Sequence, residues 1–195
     1  MASRSRTAPR RGRPPAGESL RRGDVVGAAA DLVDREGWDA LTLARLAREL
    51  GRHASSMYAH VAGLDGLRKE ISLLAADELA DRVWSATIGK VGPEALTAIA
   101  HVYREYADAH PGRTASLSAI SEQDPDFAPR MARVHEPIAA TFRSFGLVEA
   151  DADSAHRIFG AMINGLVRTH GADELQPAVD LFVVAMSTGS WPASS

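Results

Sequence analysis

Apolar side chains recur along this chain at three- and four-residue intervals from residue 25 onward, and nowhere do they alternate with the two-residue period of a strand. Val25, Val26, Ala29, Leu32 and Val33 predict a first helix over about 21–36, ended by Gly37, with Trp38 and Leu41 covering the corner that follows. Leu43, Leu46, Ala47 and Leu50 then mark a short helix. Thr42 stands where a hydroxyl accepts from the open N–H groups of a first turn, and Gly51 where a left-handed C-cap is cheapest. After two residues, 54–60 reads as a helix of about two turns, with Met57 and Val61 inward and Ser55, Ser56, Tyr58 and His60 outside. A helix below about 12 residues does not hold itself together in water, so this one is propped by neighbours and presented to something.

The pattern continues with a long helix over 64–88, striped by Leu67, Ile71, Leu74, Ala75, Leu79 and Val83 and broken at Gly89 and Gly92-Pro93. Helices follow at about 93–109, 113–121 and 125–145, the last containing Pro137, which is expected to kink it. Two final helices, at about 149–169 and 174–189, are more apolar than a helix exposed on one side needs. That marks them as deeply buried or as an oligomer interface. The fold class is all-α: an N-terminal three-helix head carrying a helix-turn-helix over 42–61, and a C-terminal helical body.

Composition changes the picture mainly through where the charge lies. The 195 residues carry a net charge of −3, with 45% apolar and 24% charged residues, an ordinary globular balance. Residues 1–22 nevertheless hold seven arginines against one acid, Glu18, leaving an acidic remainder. A basic arm on an acidic body is a molecule with one polyanion-seeking end. Residues 1–18 lack apolar periodicity and read as a disordered arm. Within it Arg11-Gly12-Arg13-Pro14 resembles the core of an AT-hook. Two readings stay open: Arg11 and Arg13 inserted along a narrow minor groove, or a tail that adds only charge. Zero cysteines excludes disulfides and thiolate metal sites, no apolar run reaches the ~18 residues of a membrane span, and nothing resembles a signal peptide, so a cytoplasmic protein is expected.

Catalytic motifs are missing. There is no GxSxG, P-loop or Rossmann glycine pattern, the histidines show no HExxH spacing, and Asp124 and Asp126 in a Pro-rich corner read as turn and N-cap residues. An enzyme, a cofactor and a metal site are not expected.

Residues 24–67, with VVGAAADLVDREGWDALTLARLARELG, then MYAHV, then Leu64 and Leu67, resemble the DNA-binding domain of the TetR family of one-component regulators. The chain departs from that pattern at Arg52-His53, where the family places a hydroxyl N-cap, and at Leu64, where it places a basic residue. His110-Pro111-Gly112-Arg113 and the segment 160–166 are similar to the family's body. The resemblance implies a DNA-binding head over 19–66 and an effector-binding and dimerisation body over 67–190. It implies a homodimer on a near-palindromic double-stranded operator, probing bases with Ala54, Ser55 and Ser56, assisted by Arg52 and His53. Thr42, Arg45, Tyr58 and His60 are the expected backbone-positioning groups, with Lys69 substituting for the lost basic residue.

The resemblance further implies a repressor released by a small apolar effector held between body helices. Candidate lining residues are Trp84, His101, Tyr103, Tyr106, Met131, His135, Phe142, Phe159, Met162 and Asn164. Ile158, Met162, Gly165, Leu166, Val179, Phe182, Val183 and Met186 are the expected dimer contacts. The alternative is a helical ligand-binding or interaction module that no longer reads DNA, which the departures at Arg52-His53 and Leu64 favour and the Arg-rich arm opposes.

Overall fold

The structure, a computed structural model, describes residues 20–169 and 172–188. The expected minor-groove residues Arg11 and Arg13 lie outside the described residues. Among the described residues the fold is all-helical: α1 (Arg22–Glu36), a 3₁₀ turn (Trp38–Ala40), α2 (Leu43–Leu50), α3 (Ala54–Met57), α4 (Gly63–Thr87), α5 (Gly92–Ala109), α6 (Pro111–Ser116), α7 (Ala128–Arg143), α8 (Glu149–Arg168) and α9 (Ala172–Ser187). None of these helices is long and apolar enough to cross a membrane.

Two hydrophobic cores share one helix. In the head, Val25, Ala29, Leu32, Leu46 and Met57 close on Leu67 and Ile71 at the start of α4. One turn further along, Ala75, Leu79 and Val83 of the same helix enter the body core with Leu96, Ile99, Val134 and Ile138. At 25 residues, α4 is about 37 Å long. In the body, Phe142, Phe159 and Phe182 form an edge-to-face trio with centroids 5.3–5.9 Å apart, tying α7, α8 and α9 together.

Pro137 lies inside α7 and has no N–H to donate to the carbonyl of Arg133. The indole Nε1 of Trp84 on α4 donates to that carbonyl at 2.9 Å, so the helix defect becomes a cross-link between α4 and α7. Two expected bounds shift here. Helix α7 begins at Ala128 rather than near 125 because Asp124 turns the chain first, accepting from the backbone N–H of Asp126 (2.9 Å) and Phe127 (3.1 Å). Helix α6 spans only Pro111–Ser116.

Head and body meet where α6 crosses α1. A Cβ on Gly112 would lie 2.5 Å from the carbonyl carbon and oxygen of Val33 and 2.8 Å from the amide nitrogen of Asp34, so only glycine lets the two helices touch. The Gly112 carbonyl also accepts from Trp38 Nε1 at 3.1 Å. Next to it the buried Arg113 side chain reaches Asp31, Asp34 (3.3 Å) and Glu78 (3.4 Å), joining α6 to α1 and α4. Its backbone N–H donates to Asp34 at 2.9 Å, and His110 Nδ1 lies 3.0 Å from the same carboxylate. Replacing a helical glycine by alanine ordinarily stabilises by about 0.4–1 kcal/mol. The backbone overlap at Gly112 outweighs that gain, and Gly112→Ala is expected to cost about 1–3 kcal/mol, measured as a lower urea midpoint.

Candidate nucleic-acid interface and effector cleft

The helix-turn-helix is capped as its residues dictate. Thr42 Oγ1 accepts from the Arg45 N–H at 3.1 Å, and Gly51 takes the left-handed conformation at φ 65°, ψ 36°. The second helix is shorter than expected, one turn over Ala54–Met57 in place of 54–60. Its N-cap, His53, makes no side-chain cap bond, and the chain continues as turns in which His60 N–H donates to Met57 O at 2.9 Å. A cap-less helix that buries only Met57 has too little to propagate it. Ser56 partly compensates, its hydroxyl donating to the His53 carbonyl at 2.7 Å.

Ser55, Ala54, Arg52 and His53 are exposed, Ser56 and His60 half-buried, and Tyr58 is 66% exposed. The expected base-probing residues are therefore accessible, Ser56 the least so. Basic groups divide differently from expectation. Arg45 is drawn into α1 and α2 by Glu36 (2.7 Å) and Glu49 (3.2 Å), and Arg35 also pairs with Glu49 (2.6 Å). Lys69 is paired within the protein: its ammonium sits between Asp124 (2.8 Å) and Asp126 (2.7 Å), tying α4 to the turn before α7. The expectation that it replaces the lost basic residue is corrected, because two carboxylates claim its charge. Arg48, exposed on α2 with no carboxylate partner among the described residues, is the cation that the sequence reading passed over.

In the body, α4, α5, α7 and α8 enclose a cleft of about 820 Å³. Of the expected lining residues it gathers Tyr103, Met131, His135, Phe159 and Asn164. The other five go elsewhere. Tyr106 is buried, its hydroxyl donating to Glu78 (3.0 Å), Phe142 belongs to the aromatic trio, Trp84 serves the Arg133 carbonyl, His101 is exposed on α5, and Met162 packs on the body core. The cleft adds Leu117, Ile120, Glu122, His156 and Arg157. His135 Nδ1 and His156 Nε2 lie 3.2 Å apart. Burial pushes both imidazoles below their ordinary range, His156 to about 4 with help from the neighbouring His135. No group of three or more His, Asp or Glu able to hold a metal occurs among the described residues.

The expected dimer contacts also divide. Val179, Phe182 and Met186 are buried within the protomer, and this is a correction: they belong to its own core. Helix α9 is apolar around most of its circumference, so periodicity alone does not select its outer face. That face carries Leu181 (72% exposed) and Val184 (56%), and on α8 Ile158 is exposed as well (49%). Gly165 is exposed with them, whereas Met162, Leu166 and Val183 are half-buried against the body core.

Comparison with known proteins agrees with this architecture. Residues 96–185 match the family model described as the Tetracyclin repressor-like, C-terminal domain. The chain is 30% identical over 178 residues to the uncharacterized HTH-type transcriptional regulator Rv0681 of Mycobacterium tuberculosis, covering 86% of this chain and 82% of that one. The chain belongs to the TetR family of transcriptional regulators. Among solved structures, BioQ with its natural double-stranded DNA operator superposes with a TM-score of 0.68 at 23% identity, covering 87% of this chain and 99% of BioQ. The Streptomyces coelicolor TetR family protein ActR in complex with actinorhodin superposes with a TM-score of 0.59 at 22% identity, covering 78% of this chain and 68% of ActR. This TetR-family member is thus a DNA-binding regulator and not an enzyme.

In this regulator the Lys69–Asp124 pair has a defined pH signature. Its hydrogen bond from Lys69 holds the Asp124 carboxyl below its ordinary range and raises the Lys69 ammonium. A depressed carboxylate stabilises above its unfolded value of about 4 and loses that contribution as pH falls through its folded value. Asp124→Asn is expected to flatten the stability profile in that acid window. Thermal unfolding followed from about pH 6 to pH 3 checks it: a variant curve parallel to the parent's would remove the assignment.

Proposed function

We propose that this regulator is a homodimeric repressor, with a DNA-binding head over 19–66 and a body over 67–190 that holds a small effector in the α4–α5–α7–α8 cleft. The observation that carries the reading is the single α4 helix entering both cores, with α6 locked on α1 at Gly112 and Arg113. The same short element continues directly into Leu117 and Ile120 of the cleft wall. A ligand that changes the cleft acts on the setting of the heads through that joint. BioQ, seen with its operator, and ActR, seen with actinorhodin, support the two ends of this reading. The effector shifts the population only by its differential affinity for the two settings.

The test is reciprocity. Operator DNA, taken from the region upstream of the regulator's own gene, must weaken effector binding by the same factor by which effector weakens DNA binding. Unequal factors at equilibrium would refute the coupling.

On the head, Ser55 and Tyr58 read or position against DNA while Arg48 contacts phosphate. Tyr58→Ala is expected to lower operator affinity about tenfold, a loss of roughly 1.4 kcal/mol. Arg48→Ala is expected to weaken specific and non-specific DNA alike and to reduce the slope of log affinity against log salt by about one. Mobility shifts at several salt concentrations separate the two.

The dimer forms through α8 and α9, where Ile158, Leu181 and Val184 leave an apolar face that the protomer does not cover. Leu181→Asp buries a charge there and is expected to shift the protein to monomer in sedimentation equilibrium. It should lower operator affinity more than any single head substitution, since one head reads one half-site only.

A further inference from the structure

Resting on the reading of the α4–α5–α7–α8 cleft as the effector site, we propose that the effector is an apolar molecule ending in a carboxylate, and that the His135–His156 pair receives the acid end and takes up a proton with it. The cleft has two unlike parts. Its wall of Leu79, Ile138, Phe159 and Ile163 is buried and apolar, suited to a hydrocarbon or aromatic body. Its polar lining includes His135 on α7 and His156 on α8, with Glu122 and Arg157 acting on them. His156 stacks on Phe142 with ring centroids 6.1 Å apart, which orients the His156 ring.

Two neutral imidazoles 3.2 Å apart share one N–H between them, Nδ1 of His135 facing Nε2 of His156. Such a pair keeps one further donor and one further acceptor on its outer nitrogens. Adding one proton turns both into donors, which complements a carboxylate, a group that only accepts. A neutral alcohol or ketone gains nothing from that proton. In the unliganded cleft, burial keeps the proton off, His156 being held at about 4. An anion placed against the ring reverses that balance, and the proton comes from solvent.

Charges of both signs face the pair. From α8, Arg157 lines the cleft with no carboxylate partner among the described residues, and Asp153 acts on His156 in the opposite sense. From the α6–α7 connection, Glu122 lines the cleft and acts on His135, but it is exposed and screened by water. From α5, Tyr103 is kept protonated by burial and remains a neutral donor. Arg157 is opposed by both Glu122 and Asp153, so the protonated histidine pair has to supply the positive charge that receives the carboxylate.

The experiment uses the full chain and three ligands alike in everything but the head group: decanoate, 1-decanol and decylamine, each displacing N-phenyl-1-naphthylamine fluorescence. The expected result is decanoate binding at least ~10-fold more tightly than decanol at about pH 6, an advantage that shrinks toward pH 8 as the bound pair loses its proton. Calorimetry in buffers of different ionisation heat should show proton uptake with decanoate and none with decanol. His135→Gln/His156→Gln should bring the decanoate-to-decanol ratio near one. Arg157→Gln, an exposed change that spares the fold, should lower the ratio yet keep its pH dependence.

A ratio near one in the parent, a preference that survives in the double variant, or a pH dependence that vanishes in Arg157→Gln overturns the proposal, as does decylamine binding best. These outcomes leave the effector reading of the cleft standing as long as decanol binds. If none of the three ligands nor the naphthylamine binds, the cleft itself is not the site and both readings fall.

Discussion

A guanidinium in a dry place governs this molecule. The Arg113 side chain is only 7% exposed, and the joint between head and body is built around its charge. Burying an unpaired cation costs several kcal/mol, so α6 is stable only where Asp31 and Asp34 of α1 and Glu78 of α4 converge on it. Gly112 beside it removes the one side-chain atom that would hold the helices apart. Attraction and close approach therefore act at adjacent residues of a single six-residue helix. Three elements from two cores are brought into register there, and a shift in any of them strains the others.

That joint gives the shared α4 helix its mechanical meaning. A helix common to two cores transmits little if either end slides freely. Here the head end is clamped by α1 and α6, while the body end is cross-linked to α7 through Trp84 and the carbonyl that Pro137 leaves unpaired. Lys69, in the second turn of the helix, is held by Asp124 and Asp126. The proposed coupling of the cleft wall at Leu117 and Ile120 to the head would run through these packed and charged contacts, because well-packed interfaces switch between arrangements in place of deforming smoothly.

The exposed surface of α2 and α3 is a different kind of object. It owes its shape to Met57 being swallowed by the head core and to little else, which is why α3 shrinks to one turn. Arg45 was expected to position the DNA backbone and instead pairs with Glu36 and Glu49. Its role on this surface is to hold α2 against α1. The exposed Arg48, one helical step away, carries the charge that faces outward. A helix face lists its cations in order, but which of them meets a carboxylate depends on the neighbouring helix.

Local chemistry was enough for much of the fold. Helix number and order, the Thr42 cap, the Gly51 turn and the turn-making role of Asp124 follow from interactions reaching no more than four residues along the chain. The helix-turn-helix was equally legible, since its meaning lies in contiguous residues. Three things required the chain to be folded. Periodicity in α9 does not choose a face when most of its circumference is apolar, so Val179, Phe182 and Met186 turned inward while Leu181 and Val184 turned out. Lys69 found its carboxylates 55 and 57 residues away. His156 met His135 across two helices, 21 residues apart in sequence. Pairings at such separations are set by how helices cross, and helix crossing is decided by the sum of all contacts at once, a quantity that no single stretch of sequence contains.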